Sequence, residues 1–299
     1  MTPSAGKPRW IVTRTAPTVL TVSMPYSGKD WEQWFLLRSD AHHDNLHCDH
    51  HLERRHLDMA LERGAGILDF GDLFCAMQGK WDKRADVEQL RPELVSAKYL
   101  DRLVDYNADF YRRYAANWIL LARGNHETSI ERHHQTDLTE RLAEHLRLAG
   151  GQHVHAATYS GWVRFQFNRG DRVSKKRILR YTHGYGGGGP VTRDVIQTAR
   201  QAVYLGGADL VVSGHTHDAW ELPIMRETLD HTGQPQLEEM AFVKIPGYKD
   251  EFSSGQGWAV EKGMGPKPKG AYWLRFYSNF REGGVHKERI RFELIRAKA

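Results

Sequence analysis

The sequence predicts a mixed α/β fold, because buried strands and amphipathic helices alternate along its first half. The apolar runs at 35–37 and 66–70 have the composition of two buried strands. Between them, Leu52, His56, Ala60 and Leu61 recur at helical spacing. Gly64 then supplies a helix stop. Strand, helix and strand in this order predict a βαβ unit.

Further elements follow along the chain. Pro92 predicts the start of a helix that extends toward residue 117, and residues 118–122 form a third buried strand. A helix over 139–148 ends at Gly150. Alternating residues at 163–167 and a turn at 168–171 predict a hairpin that returns at 178–181. A helix over 193–205 and a strand over 208–213 precede two late strands, 239–245 and 271–277, which predict a second sheet.

The composition allows one large domain or two small ones. The chain has 299 residues, of which 40% are hydrophobic, and this is ample for a sizeable core. We expect a single domain over residues 34–299, preceded by an N-terminal extension over 1–33, since only residues 19–22 of that segment have a strand-like pattern. No internal repeat is visible.

Charge and cysteine content limit the environment and the partners. The formal charge of +5 suits a phosphate-bearing substrate but is too weak to demonstrate nucleic-acid binding. Cys48 and Cys75 are too few for a disulfide framework, and the N-terminal segment has no signal-like apolar run. We therefore expect a cytoplasmic protein with no membrane partner.

Short motifs at the ends of predicted strands carry the candidate metal ligands. The motifs at 124–127 and 214–217 are the most informative, and each motif alone would be an ordinary loop or turn. Open sheets place their ligands at such strand ends. Carboxylate oxygen, amide oxygen and imidazole nitrogen form a set suited to Mn, Fe or Zn. In chain order the candidates are Asp40, His42, Asp72, Asn125, His183, His215 and His217.

With these motifs in this order, the chain resembles the calcineurin-like metallophosphoesterases over roughly residues 35–217. The resemblance implies an α+β fold of the four-layer αββα type, with two mixed sheets flanked by helices. It also implies two divalent metal ions, with Mn expected first and Zn or Fe as alternatives. By motif, the first metal falls to Asp40, His42 and His217, the second to Asn125, His183 and His215, and Asp72 bridges both.

His126 takes the family's position for protonating the leaving oxygen or stabilising the transition state. Many relatives carry an acidic residue three positions after the bridging aspartate, which orients this histidine, but this chain has Cys75 there. Asp44 and Asp82 are the candidates for that orienting role, on sequence proximity alone. A general acid needs a fixed tautomer as well as a suitable pKa.

Other histidines compete with these assignments. His153 and His155 are the alternatives to His183, which the resemblance favours because it ends a predicted strand. A further group follows His42 at the start of the next helix, where we expect solvated side chains rather than ligands. Its members are His43, His47, His50 and His51.

The resemblance implies metal-dependent hydrolysis of phosphate esters. The motif at 214–217 is similar to that of phosphodiesterases and nucleases, so a phosphodiesterase, including a nuclease acting on DNA or RNA, is the leading hypothesis. Residues 123–127 are similar to the phosphoprotein phosphatases, which makes a phosphomonoesterase or protein phosphatase the alternative. A non-catalytic metal-binding scaffold is the third hypothesis. The sequence leaves the oligomeric state open.

Two groups of residues are candidates for contact with substrate. Basic residues in the predicted hairpin could form a phosphate-binding rim or a solvated tip, and they are Arg169, Arg172, Lys175, Lys176, Arg177 and Arg180. Aromatic residues after the last motif could stack on a base or pack in the core, and they are Trp220, Tyr248, Phe252 and Trp258.

Overall fold

Two mixed β-sheets pack face to face and carry helices on their outer faces. The computed structural model describes residues 10–28, 30–76, 87–187, 189–230, 232–250, 252–253, 255, 258–261, 263–279 and 289–298. In these ranges the strands are, in chain order, β1 (Ile11–Ala16), β2 (Val19–Pro25), β3 (Glu32–Arg38), β4 (Gly66–Asp69), β5 (Trp118–Ala122), β6 (His155–Ala157), β7 (Ser160–Arg169), β8 (Arg172–Thr182), β9 (Leu210–Ser213), β10 (Trp220–Leu229), β11 (Pro235–Lys244), β12 (Gly270–Asn279) and β13 (Arg289–Lys298).

The helices lie between the strands. They are α1 (His50–Glu62), α2 (Tyr99–Tyr111), α3 (Asn125–His134), α4 (Leu138–Leu148), α5 (Val195–Arg200) and α6 (Trp258–Glu261). Short 3₁₀ helices span Val87–Gln89, Pro92–Leu94, Arg112–Asn117 and Gln201–Val203. None of the helices in the described ranges is both long enough and apolar enough to cross a bilayer.

The six-stranded sheet has the order β13-β12-β3-β4-β5-β6. Its strands β3, β4, β5 and β6 are parallel to one another, so their carboxyl ends meet at one edge. The unit β3–α1–β4 is the βαβ unit that the sequence predicts. Asp40, Asp72 and Asn125 follow β3, β4 and β5, and the topology therefore brings them to the same edge.

The seven-stranded sheet has the order β1-β2-β7-β8-β9-β11-β10. Strands β8, β9 and β11 are parallel neighbours, with Thr182 and Lys244 both in register with Ser213. His183 follows β8 and His215 follows β9, so these two histidines leave the sheet side by side. The predicted second sheet is present, and it contains the predicted hairpin as β7 and β8 and one of the two predicted late strands as β11. The other late strand, β12, instead pairs with β3 in the six-stranded sheet.

The main core lies between the two sheets. Phe35 of β3 and Phe165 of β7 face each other there, with their ring centroids 4.9 Å apart. The next residue of β3, Leu36, points to the opposite face, into the core cluster that contains Leu57 of α1, as the alternation of a strand requires. Both faces of this sheet are buried, which explains the continuous apolar run of β3. Ala202 and Leu205 cover the outer face of the seven-stranded sheet.

Two segments differ from the sequence prediction. The single helix expected from Pro92 toward residue 117 is interrupted, because Val95 adopts an extended backbone and α2 begins only at Tyr99. Its last turn tightens into the 3₁₀ helix Arg112–Asn117. The helix expected over 193–205 is shorter, consisting of α5 and the following 3₁₀ turn.

Residues 1–33, predicted as an extension, contribute two strands to the seven-stranded sheet. β2 pairs in parallel with β7, and β1 pairs with β2 at the edge. Trp10, Leu20 and Val22 are buried in the core between the sheets. The local pattern revealed only part of β2, at residues 19–22, because the partner of β2, strand β7, lies about 140 residues further along the chain, as the pair Leu20 and Val163 shows.

We expect Leu20→Ala to lower the free energy of unfolding by about 2–5 kcal/mol, since it deletes a buried side chain. Ile11, on the neighbouring strand, is 64% exposed, and Ile11→Ala should change stability by no more than about 0.5 kcal/mol. Equilibrium unfolding in urea measures both. Equally small effects would mean that the N-terminal segment is an extension after all.

Candidate metal centre

The strand-end loops of both sheets meet at one edge of the molecule, and the sequence-predicted ligands lie in these loops. Two groups of side chains there offer donor atoms within 4.8 Å of one another. The first group contains Asp40, His42 and His217. The second group contains Asp72, His183 and His215. The structure thus brings together six of the seven residues that the motifs singled out.

The first group has the donor spacing of a metal site. His42 Nε2 lies 3.2 Å from His217 Nε2, and His217 Nε2 lies 3.4 Å from Asp40 Oδ1. Donor atoms about 2.1 Å from a shared ion, at angles of about 90–110°, lie about 3.0–3.4 Å apart. These three side chains could therefore hold one cation.

The second group adjoins the first through His183. Its Nε2 lies 3.1 Å from Asp72 Oδ2 and 3.9 Å from Asp40 Oδ1. The other ring nitrogen, Nδ1, is 2.9 Å from the carbonyl oxygen of Phe70, and this bond turns Nε2 toward the carboxylates. His215 uses its Nε2 on the carbonyl oxygen of Gly186, at 3.0 Å, so Nδ1 is its remaining ring nitrogen.

Asn125 supplies the amide position beside this group. It is the first residue of α3, and the next residue, His126, donates its backbone N–H to Asp72 Oδ1 at 3.0 Å. Within the described chain, the buried Asn125 Oδ1 has no hydrogen-bond partner. A buried polar atom without a partner costs about 1–3 kcal/mol. A cation bound to this oxygen would satisfy it, so the residues present fit a metal.

The electrostatics of the site favour positive charge. Burial raises the pKa of Asp40, but His183 and His217 outweigh this effect and hold that pKa well below its usual range. Burial likewise opposes protonation of His183, yet Asp72 and Asp40 raise the pKa of its ring to about 10. The two buried carboxylates therefore hold positive charge on His183, which is the charge that a divalent cation would supply.

The backbone is strained at most of the candidate ligands. Non-glycine residues rarely adopt a positive φ, and each instance costs about 1–3 kcal/mol. Such strain is concentrated at functional sites. The five candidates with this backbone are Asp40 (φ 52°), His42 (45°), Asp72 (51°), His215 (76°) and His217 (55°).

Two motif glycines allow the backbone to pass directly against the carboxylates. A Cβ on Gly124 would overlap with Asp72 Oδ1, and a Cβ on Gly214 would overlap with Asp40 Oδ2. Each of these two motif positions therefore requires glycine, because any side chain would collide with a carboxylate. The backbone N–H of His215 also donates to both oxygens of Asp40, at 3.1 and 2.9 Å.

Glu127 holds the Asp72 loop in place, a role that the sequence analysis missed. Its carboxylate accepts hydrogen bonds from the backbone N–H groups of Asp72 at 3.1 Å, Gly124 at 2.7 Å and Phe74 at 3.0 Å. Burial and the charge of Asp72 raise the pKa of Glu127 to about 8. Its place at the third position of α3, where a capping glutamate is common, is the signal that could have indicated this role.

Arg38 and Asp69 connect the ends of β3 and β4, and these residues were also missed. Arg38 Nε donates to Asp69 Oδ2 at 2.8 Å, and Asp69 Oδ1 accepts from the N–H of Gly71 at 3.0 Å. Arg38 directly precedes the Ser39–Asp40 turn, so the pair fixes both ligand loops together. Charged residues at the ends of otherwise apolar strands were the available signal.

A backbone carbonyl orients His126. Its Nδ1 donates to the carbonyl oxygen of Cys75, and its Nε2 lies 3.7 Å from Asp72 Oδ2. Asp44, one predicted orienting residue, instead accepts from the N–H groups of Cys75 and Ala76, at 2.5 and 2.9 Å. It therefore positions the carbonyl rather than the imidazole. Asp82, the other predicted residue, lies outside the described residues.

Cys75 is not a convincing metal ligand, although its Sγ shares a donor group with His42 and His126. Burial and the charge of Asp44 raise the pKa of this thiol to about 12. The thiol is also hydrogen-bonded, since Asn45 Nδ2 lies 3.4 Å from Sγ. A neutral, bonded thiol is a poor ligand, because metals bind the thiolate.

The histidines at the start of α1 differ from the prediction of solvated side chains. His43 is fully buried, His47 and His50 are partly buried, and His51 is exposed. Donor atoms of a group that includes His43 lie within 4.8 Å of one another, so these residues could hold a metal by proximity. The group consists of His43, Cys48, His50 and Glu53.

The spacing in this group indicates hydrogen bonding. Glu53 lies 2.7 Å from His43 Nδ1 and 2.6 Å from Arg38 Nη2, both shorter than the spacing of atoms that share a metal. Glu53 also accepts from the hydroxyl of Tyr111. The carboxylate is therefore saturated by its partners, and the group supports Arg38 from behind the candidate metal centre.

The competitors of His183 lie elsewhere. His155 is in β6 at the edge of the six-stranded sheet, and His153 precedes it. Among the described residues neither shares a donor group with Asp40 or Asp72. The structure therefore brings His183, and not these two residues, to the other candidates.

The basic hairpin does not form a rim around this site. Strand β8 has 11 residues and is therefore about 36 Å long, at about 3.3 Å per residue. Arg169 and Arg172 lie at the hairpin tip, opposite the end that leads to His183. Arg177 pairs with Asp209 at 3.1 Å, and Arg180 donates to the carbonyl oxygen of Gly161 at 2.8 Å.

The aromatic candidates have mixed outcomes. Tyr248 is fully buried and its ring packs 5.3 Å from the Arg38 guanidinium, so it cannot stack on a substrate. Trp220 is half-buried and donates from Nε1 to the carbonyl oxygen of Arg193 at 2.9 Å. Phe252 is partly buried, and the side chain of Trp258 lies outside the described residues.

Neither a scan against models of protein families nor a search of curated proteins finds a match for this chain. The interpretation of the site therefore rests on its geometry and chemistry.

We expect Gly124→Ala to displace the Asp72 carboxylate and to weaken Mn²⁺ binding by about 10- to 100-fold, the usual effect of disturbing residues that orient ligands. Gly206→Ala is the matched control, since a Cβ there meets no atom within 4 Å. Calorimetric titration of the metal-free proteins measures both. Wild-type affinity in Gly124→Ala would show that Asp72 does not bind the metal.

Proposed function

We propose that this protein is a phosphoesterase of the calcineurin-like type, dependent on two divalent metal ions. The observation that carries the proposal is the convergence of oxygen and nitrogen donors, at metal-ligand spacing, on strained loops at the edge of both sheets. The two mixed sheets with helices on their outer faces support it, because the four-layer sandwich is the fold that the resemblance implies.

The ligand assignment divides the donors into two sets around Asp72. Asp40, His42 and His217 would hold one ion. Asn125, His183 and His215 would hold the other. Asp72 would serve both, since a carboxylate can bridge two cations about 3.5–4 Å apart. Bound there, the ions would act as Lewis acids toward a phosphate oxygen and activate water for attack on phosphorus. The donor set, without a thiolate, suits Mn first, and Zn or Fe as alternatives.

His126 is the residue that can protonate the leaving group, the departing ester oxygen. The carbonyl oxygen of Cys75 requires a proton on His126 Nδ1, so any further proton sits on Nε2, which faces Asp72. When His126 is protonated, Nε2 can give that proton to the departing ester oxygen. His126 is only 7% exposed, so bulk water has little access to this proton.

The phosphodiester is the preferred substrate class. A phosphomonoester carries a second negative charge that a basic side chain would have to meet, and Arg123 lies two residues before Asn125 in the sequence. Its guanidinium is instead paired with Glu131, at 2.7 Å, and with Asp137. Because Arg123 is already paired with these two carboxylates, it is not available for the second charge of a monoester. This pairing and the motif at 214–217 favour diesters over monoesters. Nucleic acids are then the first natural diesters to test, and the protein phosphatase is the alternative.

The proposal can be tested by removing all metal from the protein, adding back Mn, Zn, Ni, Fe or Mg one at a time, and measuring hydrolysis of aryl phosphates. We expect Mn-restored protein to hydrolyse bis(p-nitrophenyl) phosphate faster than p-nitrophenyl phosphate. A preference for the monoester would move the assignment to phosphomonoesterases. No hydrolysis of either compound with any metal would contradict the enzyme and favour a metal-binding scaffold.

Two substitutions separate ligand from proton donor. We expect Asp72→Asn to lose bound metal and to reduce turnover by more than about 100-fold. His126→Ala should keep its metal and reduce turnover by about 10²- to 10⁴-fold, the usual contribution of a general acid. His134→Ala, exposed on the same helix, is the control and should match wild type. Metal analysis and initial rates measure these effects, and equal metal loss in the Asp72 and His126 variants would refute this division of roles.

A further inference from the structure

A buried ion pair lies beside the second ligand set, and neither of its members is a candidate ligand. Lys244, the last residue of β11, is 0% exposed, and its Nζ lies 2.6 Å from Asp194 Oδ2. Lysine is almost never fully buried unless it is paired. Because desolvating two charges is expensive, such a pair is weak evidence for stability by itself. The position of the Lys244–Asp194 pair beside the second ligand set indicates a role other than stabilising the fold.

One end of the pair adjoins His215. Lys244 is in register with Ser213, two residues before His215. A Cβ placed on Gly184 would lie 3.5 Å from Lys244 Nζ and 2.9 Å from His215 Cβ. The ammonium group, Gly184 and His215 are therefore immediate neighbours. Lys244 is too deeply buried to contact a substrate itself.

The other end of the pair anchors the glycine-rich segment that follows His183. Asp194 directly precedes α5 and terminates this segment, and Gly186 within it accepts the hydrogen bond from His215 Nε2. Arg193 and Asp194 both have positive φ, 45° and 65°, which is strained for non-glycine residues. Trp220 Nε1 bonds the carbonyl oxygen of Arg193 as well. The surrounding contacts thus hold this end of the segment in an otherwise unfavourable backbone.

We propose that the Lys244–Asp194 ion pair positions His215 for metal binding. The pair holds Asp194 in place, and its ammonium group lies beside Gly184, so that the Gly186 carbonyl keeps the proton of His215 on Nε2 and leaves Nδ1 as the donor nitrogen. Hydrogen bonds of this kind set the tautomer and orientation of metal-binding histidines. Lys244 and Asp194 are positioning residues, and the inference rests on the metal-binding part of the proposed function, not on hydrolysis.

The tautomer of His215 in metal-free protein tests this directly. Nitrogen-15 NMR spectra, assigned by comparison with His215→Gln, should show the Nε2–H tautomer in wild type and a mixture of tautomers in Lys244→Met. An unchanged His215 signal in Lys244→Met would overturn the proposal. So would an Nδ1–H tautomer in wild type.

Metal affinity gives the second readout. We expect Lys244→Met to weaken Mn²⁺ binding at the weaker of the two positions by about 10- to 100-fold. Asp209→Asn is the control, because it removes the Arg177–Asp209 ion pair at the opposite end of β9 from His215. That variant should bind Mn²⁺ as wild type does. Equal affinities in Lys244→Met and the control would count against positioning.

A double variant separates positioning from stability. Lys244→Met leaves the Asp194 carboxylate buried without its cation, whereas Lys244→Met/Asp194→Asn removes both charges, and asparagine tolerates a positive φ. We expect the double variant to regain thermal stability and still bind Mn²⁺ weakly. Recovery of wild-type affinity together with stability would overturn the proposal. If wild type binds no Mn²⁺, the proposed function fails, and the tautomer of His215 still decides the positioning role.

Discussion

The carboxylates of Asp40 and Asp72 impose the constraint on which the rest of the site depends. Both are fully or almost fully buried, and both stand at the ends of adjacent parallel strands. Two carboxylates buried at neighbouring strand ends cannot both stay ionised in a low-dielectric interior unless positive charge lies near them. His183 provides part of that charge, because the carboxylates raise the pKa of its imidazole to about 10. The buried amide oxygen of Asn125, which has no hydrogen-bond partner within the described chain, could bind a cation.

The surrounding structure consists largely of groups that keep these carboxylates in place. Arg38 and Asp69 connect the two strand ends, and Glu127 binds the backbone of the Asp72 loop and that of Gly124 after β5. The strained φ angles of the ligand residues persist because these bonds and two buried sheets over-determine the loops. Rigid strands with strained ends are a suitable frame for a metal centre, since ligand geometry must be preorganised rather than assembled on binding.

The sequence predicts the parts of this arrangement that depend on local pattern. Asp40, Asp72 and Asn125 follow apolar strands, so their convergence could be expected from the parallel topology of one sheet; that they bind metal stays a prediction. Strand β1 and the place of β2 in the sheet could not be predicted, because the β7 partner of Leu20, Val163, is remote in sequence. The role of the Cys75 carbonyl in orienting His126 could not be predicted either, because every residue has a backbone carbonyl and its use does not depend on residue type. Lys244 is not part of any sequence motif, and only its burial in the structure indicates that it has a role near the site.

We propose that the two ligand sets form one binuclear centre bridged by Asp72. Anomalous diffraction from crystals soaked in Mn²⁺, collected above and below the manganese edge, would locate the ions. We expect two peaks about 3.5–4 Å apart, one among Asp40, His42 and His217 and the other beside Asn125, His183 and His215. No peak there, or a single peak at the His43, Cys48, His50 and Glu53 group, would refute the binuclear centre.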